Sequence, residues 1–342
     1  MDVKKFWRWF RLELREIKGV GPETLRKLLE AGYSTVESVA FASPQDLASD
    51  AGIGEATARK IIEQARRMVA GGEGRGGKLV QILPGREAKR ILQSIERVTT
   101  GLTGLDSVLG GGVETCAITE FYGPARAGKT QLCHQLCVTV QLPKEKGGLE
   151  GRALYIDTER TVRYDAIARI AERFGLNMDE ACDNVFYTYA VNSEALRETI
   201  RELDEVVKQN MVKLVVVDCL TGHFRAEYTG RETLALRQQL INRMIHDLLR
   251  LALSYDLAVV VTNQVHAQPD VWGKSEAPTG GHVVAHGVTY RVGLSIKKHN
   301  VRVASLVDAP ALPPSSAFFA ITDRGLVDVS EEEAAKGKLV EE

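Results

Sequence analysis

The sequence contains no apolar run long enough for a secretion signal or a membrane span. Its five cysteines lack CxxC spacing, and their apolar neighbours favour reduced thiols in a core over zinc ligands or disulfides. Lys and Arg number 44 against 45 Asp and Glu, so no overall charge excess points to nucleic acid or to a membrane. These absences predict a cytoplasmic protein in which any site for a polyanion is a local patch.

The 342 residues are enough for two domains, because single hydrophobic cores stop growing at about 250–300 residues. Residues 71–78 read GGEGRGGK, which cannot bury apolar area and therefore marks a flexible boundary. The apolar run at 79–83 predicts a short strand, which either pairs with a sheet edge of another copy or packs on its own domain. The predicted divisions are a helical domain at 1–69, a linker at 70–97, a larger domain at 98–329 and an acidic, frayed tail at 330–342.

Two Gly-x-Gly turns, at 19–21 and 52–54, each precede an amphipathic segment in the first domain. Pro22 suits the first position of a helix, and Glu23 favours its positive end. The pattern predicts two helix-hairpin-helix units, whose turns can point backbone N–H groups at a DNA phosphate. A small helical domain that docks on another protein is the alternative reading.

In the larger domain, short apolar runs rich in β-branched residues alternate with helical stretches. Such alternation predicts an α/β domain whose central sheet is mostly parallel, with strands buried on both faces. Residues 289–327 predict further strands in an antiparallel extension. The parallel strands are expected at 117–122, 153–157, 213–218 and 258–263.

A phosphate-binding loop follows the first of these strands, because residues 123–130 fit G-x-x-x-x-G-K-[ST] between a strand and a helix. We expect the backbone to surround the phosphates of ATP, Lys129 to reach their outer oxygens and the Thr130 hydroxyl to bind Mg²⁺. The predicted nucleotide-binding residues here are Gly123, Pro124, Ala125, Arg126, Ala127, Gly128, Lys129, Thr130 and Gln131.

Three further side chains are expected at the same edge of the sheet. Asp218 ends a buried strand where ligands of open α/β sheets bind, and it is predicted to help hold Mg²⁺. Glu159 follows another strand and is the candidate base or water-positioning group for hydrolysis, with an exposed loop glutamate as the alternative. Gln264 ends a third strand, where a neutral amide can sense the terminal phosphate.

In these residues the chain resembles the RecA-type DNA strand-exchange recombinase family, closest to its archaeal and eukaryotic members. The resemblance covers nearly the whole chain, and it implies a RecA-type ATPase core, assembly on single-stranded DNA, homology search and strand exchange in DNA repair. It also implies double-stranded DNA, further copies of the chain and recombination mediators as partners, and a place at the nucleoid. The segments that carry it are GVGPETLRKLLEAGYSTVESVA, TTGLTGLDSVLGGGVET, GKTQLCHQL, YIDTE, LVVVD, HFRAEYTGRETLALRQ, VVVTNQV and GGHVVAH.

The resemblance also assigns roles to particular residues. Glu159 matches the family's catalytic glutamate, Asp218 its magnesium-side aspartate and Gln264 its phosphate-sensing glutamine. A first DNA loop at 222–238 and a second at 265–281 are implied, and Asp308 and Pro310 match a segment that caps ATP from the adjacent subunit. The DNA-binding residues implied are Arg225, Arg231 and Arg237 in the first loop and Gln268 and Gly280 in the second.

One departure from the family concerns assembly. The family's linker carries a Phe-x-x-Ala tether, whereas this chain has Ile82, Leu83, Pro84 and Gly85 at that place. This difference favours an alternative, a RecA-fold paralogue that binds ATP and DNA and regulates a recombinase without exchanging strands. A scaffold protein that only binds ATP is a third reading. The intact phosphate loop, Glu159 and first DNA loop favour the recombinase.

Overall fold

A computed structural model gives the fold and describes residues 14–69, 84–267 and 276–336. Contacts divide the chain into two compact units, residues 1–94 with 198–209, and residues 95–197 with 210–342. Of the predicted linker at 70–97, residues 70–83, which include the predicted strand at 79–83, lie outside the described residues. Within the described ranges, no helix combines the length and apolar character that crossing a membrane requires.

The first unit contains the two predicted hairpins. Gly19 and Gly52 have φ values of +103° and +57°, a left-handed conformation that glycine adopts without strain. The helices that follow begin at Pro22 and at Glu55, and their packed faces bury residues such as Leu28. The described helices here are α1 (Pro22–Glu30), α2 (Val36–Ala40), α3 (Pro44–Asp50), α4 (Glu55–Val69) and α5 (Gly85–Gln93).

The described part of the second unit contains a large sheet and a separate two-stranded sheet. Its described strands are β1 (Arg97–Val98), β2 (Val113–Glu114), β3 (Ala117–Gly123), β4 (Arg152–Asp157), β5 (Val185–Tyr189), β6 (Val212–Asp218), β7 (Ala258–Ala267), β8 (Glu276–Pro278), β9 (Tyr290–Lys298), β10 (Val301–Asp308), β11 (Ser316–Thr322) and β12 (Gly325–Val329). In the two-stranded sheet β1 pairs with β2. The order in the large sheet is β12-β11-β10-β9-β3-β7-β6-β4-β5, with β8 paired to β7. Strands β9, β3, β7, β6, β4 and β5 are parallel, and β9 to β12 are antiparallel.

This arrangement confirms the predicted mostly parallel sheet with an antiparallel extension, and each of the four predicted parallel strands is present within a few residues. The edge strand β5 was not predicted. The remaining described helices are α6 (Thr103–Val108), α7 (Lys129–Thr139), α8 (Tyr164–Arg173), α9 (Met178–Asp183), α10 (Ser193–Arg201), α11 (Leu203–Asn210), α12 (Gly222–Glu227), α13 (Leu234–Tyr255), α14 (Gly281–Gly287) and α15 (Glu331–Lys336).

The tail differs from its prediction over the part that the structure describes. Residues 331–336 form α15 instead of fraying. The Ser330 hydroxyl accepts the backbone N–H of Glu333, whose carboxylate in turn accepts the N–H of Ser330, so the helix start is capped from both sides. Ala334 is buried against Val301 and its neighbours in the sheet. Capping and this contact together hold the helix on the sheet.

Candidate functional site

The predicted phosphate loop connects the end of β3 to the start of α7. Gly128 precedes the helix with a φ of +101°, and a Cβ there would lie 3.3 Å from Phe319 and Ile321. At Gly123, a Cβ would lie 2.2 Å from the carbonyl oxygen of Leu294. The loop therefore requires glycine at both places, at one because of left-handed backbone and at the other because β9 approaches so closely.

Lys129 is the first residue of α7, and its ammonium group lies across the loop. Its Nζ donates to the carbonyl oxygens of Gly123 at 2.8 Å and Pro124 at 2.9 Å. Burial lowers the pKa of Lys129, while the nearby carboxylates of Asp218 and Glu159 act in the opposite direction. A helix N-terminus that carries an ammonium group is suited to a multiply charged anion.

Asp218 ends β6 and is almost fully buried, with 3% of its surface exposed. Its Oδ2 accepts hydrogen bonds from Thr130 Oγ1 at 2.8 Å and Tyr155 Oη at 2.7 Å, and its Oδ1 accepts one from the Thr262 hydroxyl. Burial raises the pKa of Tyr155 well above its usual value, so this phenol stays a donor. The hydroxyl oxygen of Thr130 and the carboxylate oxygens of Asp218 are ligands of the kind that a hard divalent cation prefers.

Glu159 follows β4 and Gln264 lies in β7, and their side chains are in direct contact although β6 separates the two strands. Gln264 Nε2 donates to Glu159 Oε1 at 2.7 Å. The backbone turn that carries Glu159 is fixed by Asp157, whose carboxylate accepts the N–H groups of Glu159 at 2.9 Å and Val162 at 3.1 Å. Asp157 was not among the predicted residues, although its place at the end of a buried strand was a signal for it.

A cavity of about 400 Å³ brings most of the predicted site together. Arg302 was not predicted: its Nε donates to the carbonyl oxygen of Arg126 at 2.9 Å, and burial lowers the pKa of its guanidinium. It lies in β10, far along the chain, and no local motif marks it. The predicted residues that line the cavity are Ala125, Arg126, Gly128, Lys129, Thr130, Gln131, Glu159, Asp218 and Gln264.

Asp308 and Pro310 do not line this cavity. Asp308 is the last residue of β10, and both residues are exposed. Within one chain, they are therefore separate from the phosphate loop.

The first predicted DNA loop is more regular than expected. Instead of a flexible segment, residues 222–227 form α12, and α13 begins at Leu234. Phe224 is fully buried and stacks on Tyr228 with ring centroids 6.1 Å apart, which fixes the turn between the helices. Arg225 and Arg231 are exposed, whereas Arg237 is half-buried and donates to a backbone carbonyl.

The second predicted DNA loop is described only at its two ends. Val265 pairs with Pro278 in an antiparallel ladder, which brings the two ends together. Gly280 has a φ of +95° and precedes α14, while Gln268 lies outside the described residues. Both predicted loops begin at the same edge of the sheet as Asp218 and Gln264.

Fold and site together define an α/β protein with a phosphate-binding loop and acidic side chains at the carboxyl edge of a parallel sheet. The chain belongs to the Rad51 family, since residues 91–329 match the model of that family. Residues 11–67 match the SAM-like helix-hairpin-helix tandem, which confirms the predicted fold of the first domain.

Two similar proteins are both named DNA repair and recombination protein RadA. The one from Aeropyrum pernix is 45% identical over 317 residues, which are 92% of this chain and 97% of that protein. The one from Metallosphaera sedula is 46% identical over 320 residues, which are 93% of this chain and 96% of that protein. The resemblance drawn from the sequence motifs is therefore confirmed.

Proposed function

We propose that this chain is a DNA-dependent ATPase that assembles on single-stranded DNA and catalyses homologous pairing and strand exchange in DNA repair. The observation that carries the proposal is the single cavity in which Lys129, Thr130, Asp218 and the Glu159–Gln264 pair meet. Similarity to proteins named for DNA repair and recombination supports the proposal.

The residues present fit ATP with Mg²⁺. Gly123 and Gly128 let the loop pack against Leu294, Phe319 and Ile321, which a Cβ at either place would meet. The backbone N–H groups of a loop of this kind suit phosphate oxygens. Lys129 would hold the outer phosphates, and Thr130 with Asp218 would hold the cation. When bound, the cation supplies charge neutralisation for the transferred phosphoryl group.

Hydrolysis needs a group that orients water and accepts its proton. Glu159 is exposed to the cavity, and its carboxylate oxygen already accepts a hydrogen bond from Gln264. We assign Glu159 as that group and Gln264 as the residue that senses the terminal phosphate. Gln264 lies directly before the second predicted DNA loop. A change in its hydrogen bond to Glu159 is therefore passed to that loop along the backbone of β7.

DNA binding is assigned to the two segments that leave this edge of the sheet. The exposed Arg225 and Arg231 suit contacts with phosphates along a single strand, and Arg237 adds a third positive charge nearby. Asp308 and Pro310 are exposed and outside the cavity, which agrees with a role in capping the nucleotide of an adjacent copy. Double-stranded DNA, further copies of the chain and mediator proteins are the partners of this activity.

The test is ATP turnover by the full chain with and without single-stranded DNA, followed by strand exchange between a single strand and a homologous labelled duplex. We expect turnover to rise with DNA and exchange to require ATP. The Lys129→Ala variant is the control, because it lacks the ammonium group and should show neither. Turnover that is indifferent to DNA in the unmodified protein contradicts the proposal.

A second function is favoured by one observation. Ile82, Leu83, Pro84 and Gly85 stand where the family has Phe-x-x-Ala, and α5 already begins at Gly85. A chain that binds ATP and DNA, but regulates a recombinase without exchanging strands, would tolerate this change. DNA-stimulated turnover without strand exchange would select that function.

A further inference from the structure

A buried polar cluster lies on the neighbouring strands β3 and β7, beside the cavity but not part of its lining. Asn263 and Glu120 have no exposed surface. Arg291 Nε donates to Glu120 Oε2 at 2.7 Å, so the buried carboxylate is paired. Burying polar groups this deeply costs free energy unless all of their hydrogen bonds are made, so each partner in the cluster matters for its stability.

The side chain of Asn263 makes four hydrogen bonds. Its Oδ1 accepts from Thr221 Oγ1 at 2.7 Å and from the backbone N–H of Gln264 at 3.0 Å. Its Nδ2 donates to Glu120 Oε1 at 2.8 Å and to the carbonyl oxygen of Thr279 at 2.6 Å. An amide has two acceptor and two donor positions, and all four are used. Reversing the amide would set donor against donor and acceptor against acceptor, so its orientation is fixed.

The partners of Asn263 belong to functionally different segments. Thr221 immediately precedes α12, the helix that carries Arg225 in the first predicted DNA loop. Thr279 lies near the end of the second predicted DNA loop. Its N–H and hydroxyl also donate to the carbonyl oxygen of Gln264, at 2.9 and 3.0 Å. Glu120 lies in β3, the strand that leads into the phosphate loop.

We propose that Asn263 is a positioning residue. It holds Thr221, just before the first predicted DNA segment, and Thr279, near the end of the second, against the part of β7 that carries Gln264. A change in the bound nucleotide then affects the positions of both segments together, through the side-chain amide of Asn263. This inference rests on the proposed function, because it presumes that the segments bind DNA. It differs from the sensing role of Gln264, which faces Glu159 and the cavity, since Asn263 contacts neither.

The chain offers a matched pair of variants for the test. Thr221 and Thr119 are both buried threonines, with 1% and 0% of their surface exposed. The Thr221 hydroxyl donates to Asn263, whereas the Thr119 hydroxyl has no hydrogen-bond partner among the described residues. Valine has nearly the shape of threonine without the hydroxyl. Thr221→Val therefore removes one hydrogen bond to Asn263. Thr119→Val removes a buried hydroxyl that makes no hydrogen bond within the described residues.

The experiment measures the affinity of the full chain for a fluorescein-labelled single-stranded oligonucleotide by anisotropy. It is done once with Mg²⁺ and a non-hydrolysable ATP analogue and once with Mg²⁺ and ADP. The ratio of the two affinities is the coupling between nucleotide and DNA. We expect Thr221→Val to lower this ratio about threefold and Asn263→Ala about tenfold, the range found for residues that mediate coupling. Thr119→Val should leave it unchanged.

A second measurement separates positioning from general damage. Affinity for the ATP analogue without DNA should stay within about twofold in all three variants, because none of the substituted side chains lines the cavity. If Asn263→Ala does not fold, Thr221→Val against Thr119→Val still decides the matter.

Folded Thr221→Val with the unmodified coupling ratio would overturn the inference and leave the proposed function standing. An equal loss in Thr119→Val would also overturn it, because the effect would then belong to any buried hydroxyl. A ratio of one in the unmodified protein would instead refute the proposed function, and with it any coupling for Asn263 to transmit.

Discussion

Replacing Glu159 by glutamine separates nucleotide binding from turnover at this site. The turn that carries residue 159 is held by Asp157 through backbone N–H groups, so it does not depend on the charge of the side chain. A glutamine can still present an oxygen to Gln264 Nε2, which now donates to Glu159 over 2.7 Å. The variant therefore keeps the geometry of the site and loses only the proton acceptor.

The expected size of the effect follows from that difference. A positioned general base contributes about 10²–10⁴-fold to rate, so turnover should fall by that factor. The hydrogen bond to residue 264 becomes neutral instead of charge-assisted, which changes affinity for the nucleotide by no more than about threefold. Turnover in the presence of single-stranded DNA and equilibrium binding of a fluorescent ATP analogue are the two assays.

Asp157→Asn gives the contrast. An asparagine has one acceptor oxygen where the carboxylate now binds two N–H groups, so the turn itself should loosen and both turnover and nucleotide affinity should fall. If Glu159→Gln retains unmodified turnover, the catalytic role belongs to another group. If it loses affinity as strongly as Asp157→Asn, its side chain serves the turn and not the reaction.

Lys129→Ala should lower nucleotide affinity about 10–100-fold in direct binding, because it removes hydrogen bonds from a charged donor, and unchanged affinity would refute the phosphate assignment. Tyr155→Phe removes the hydroxyl that donates to Asp218, so nucleotide binding should need about tenfold more Mg²⁺; an unchanged Mg²⁺ dependence would separate Tyr155 from the cation. Arg302→Met frees the carbonyl oxygen of Arg126 and should weaken nucleotide binding about threefold in the same assay, whereas no change would make the contact incidental.

The parts of the site that were predictable are those fixed by local sequence. A strand, a glycine-rich turn and a helix follow one another directly around Lys129, so their geometry is set within a dozen residues. Asp218 and Gln264 end apolar runs, and parallel strands bring their carboxyl ends to one edge. Such placement needs only the strand direction, which the alternation of strands and helices already predicts.

The partners of these residues were not predictable, since each depends on which strands are neighbours. Arg302 reaches the phosphate loop because β10 belongs to the same sheet as β3, although 176 residues separate it from Arg126. Tyr155 reads as an ordinary strand residue until β4 is placed beside β6, where its hydroxyl meets Asp218. The helical form of the first predicted DNA segment depends likewise on the burial of Phe224, which the arginine spacing does not reveal.

Three consecutive residues of β7, Thr262, Asn263 and Gln264, make contacts on opposite faces of the sheet. Successive side chains of a strand point to opposite faces, so Thr262 and Gln264 share a face that Asn263 does not. On the shared face, Thr262 donates to Asp218 and Gln264 donates to Glu159. On the other face, Asn263 holds the roots of the two predicted DNA segments. Because β7 lies between β3 and β6, any displacement of its end changes the contacts on both faces at once. Alternation along three consecutive polar residues thus places contacts to the cavity on one face and contacts to the two predicted DNA segments on the other, as the proposed coupling requires.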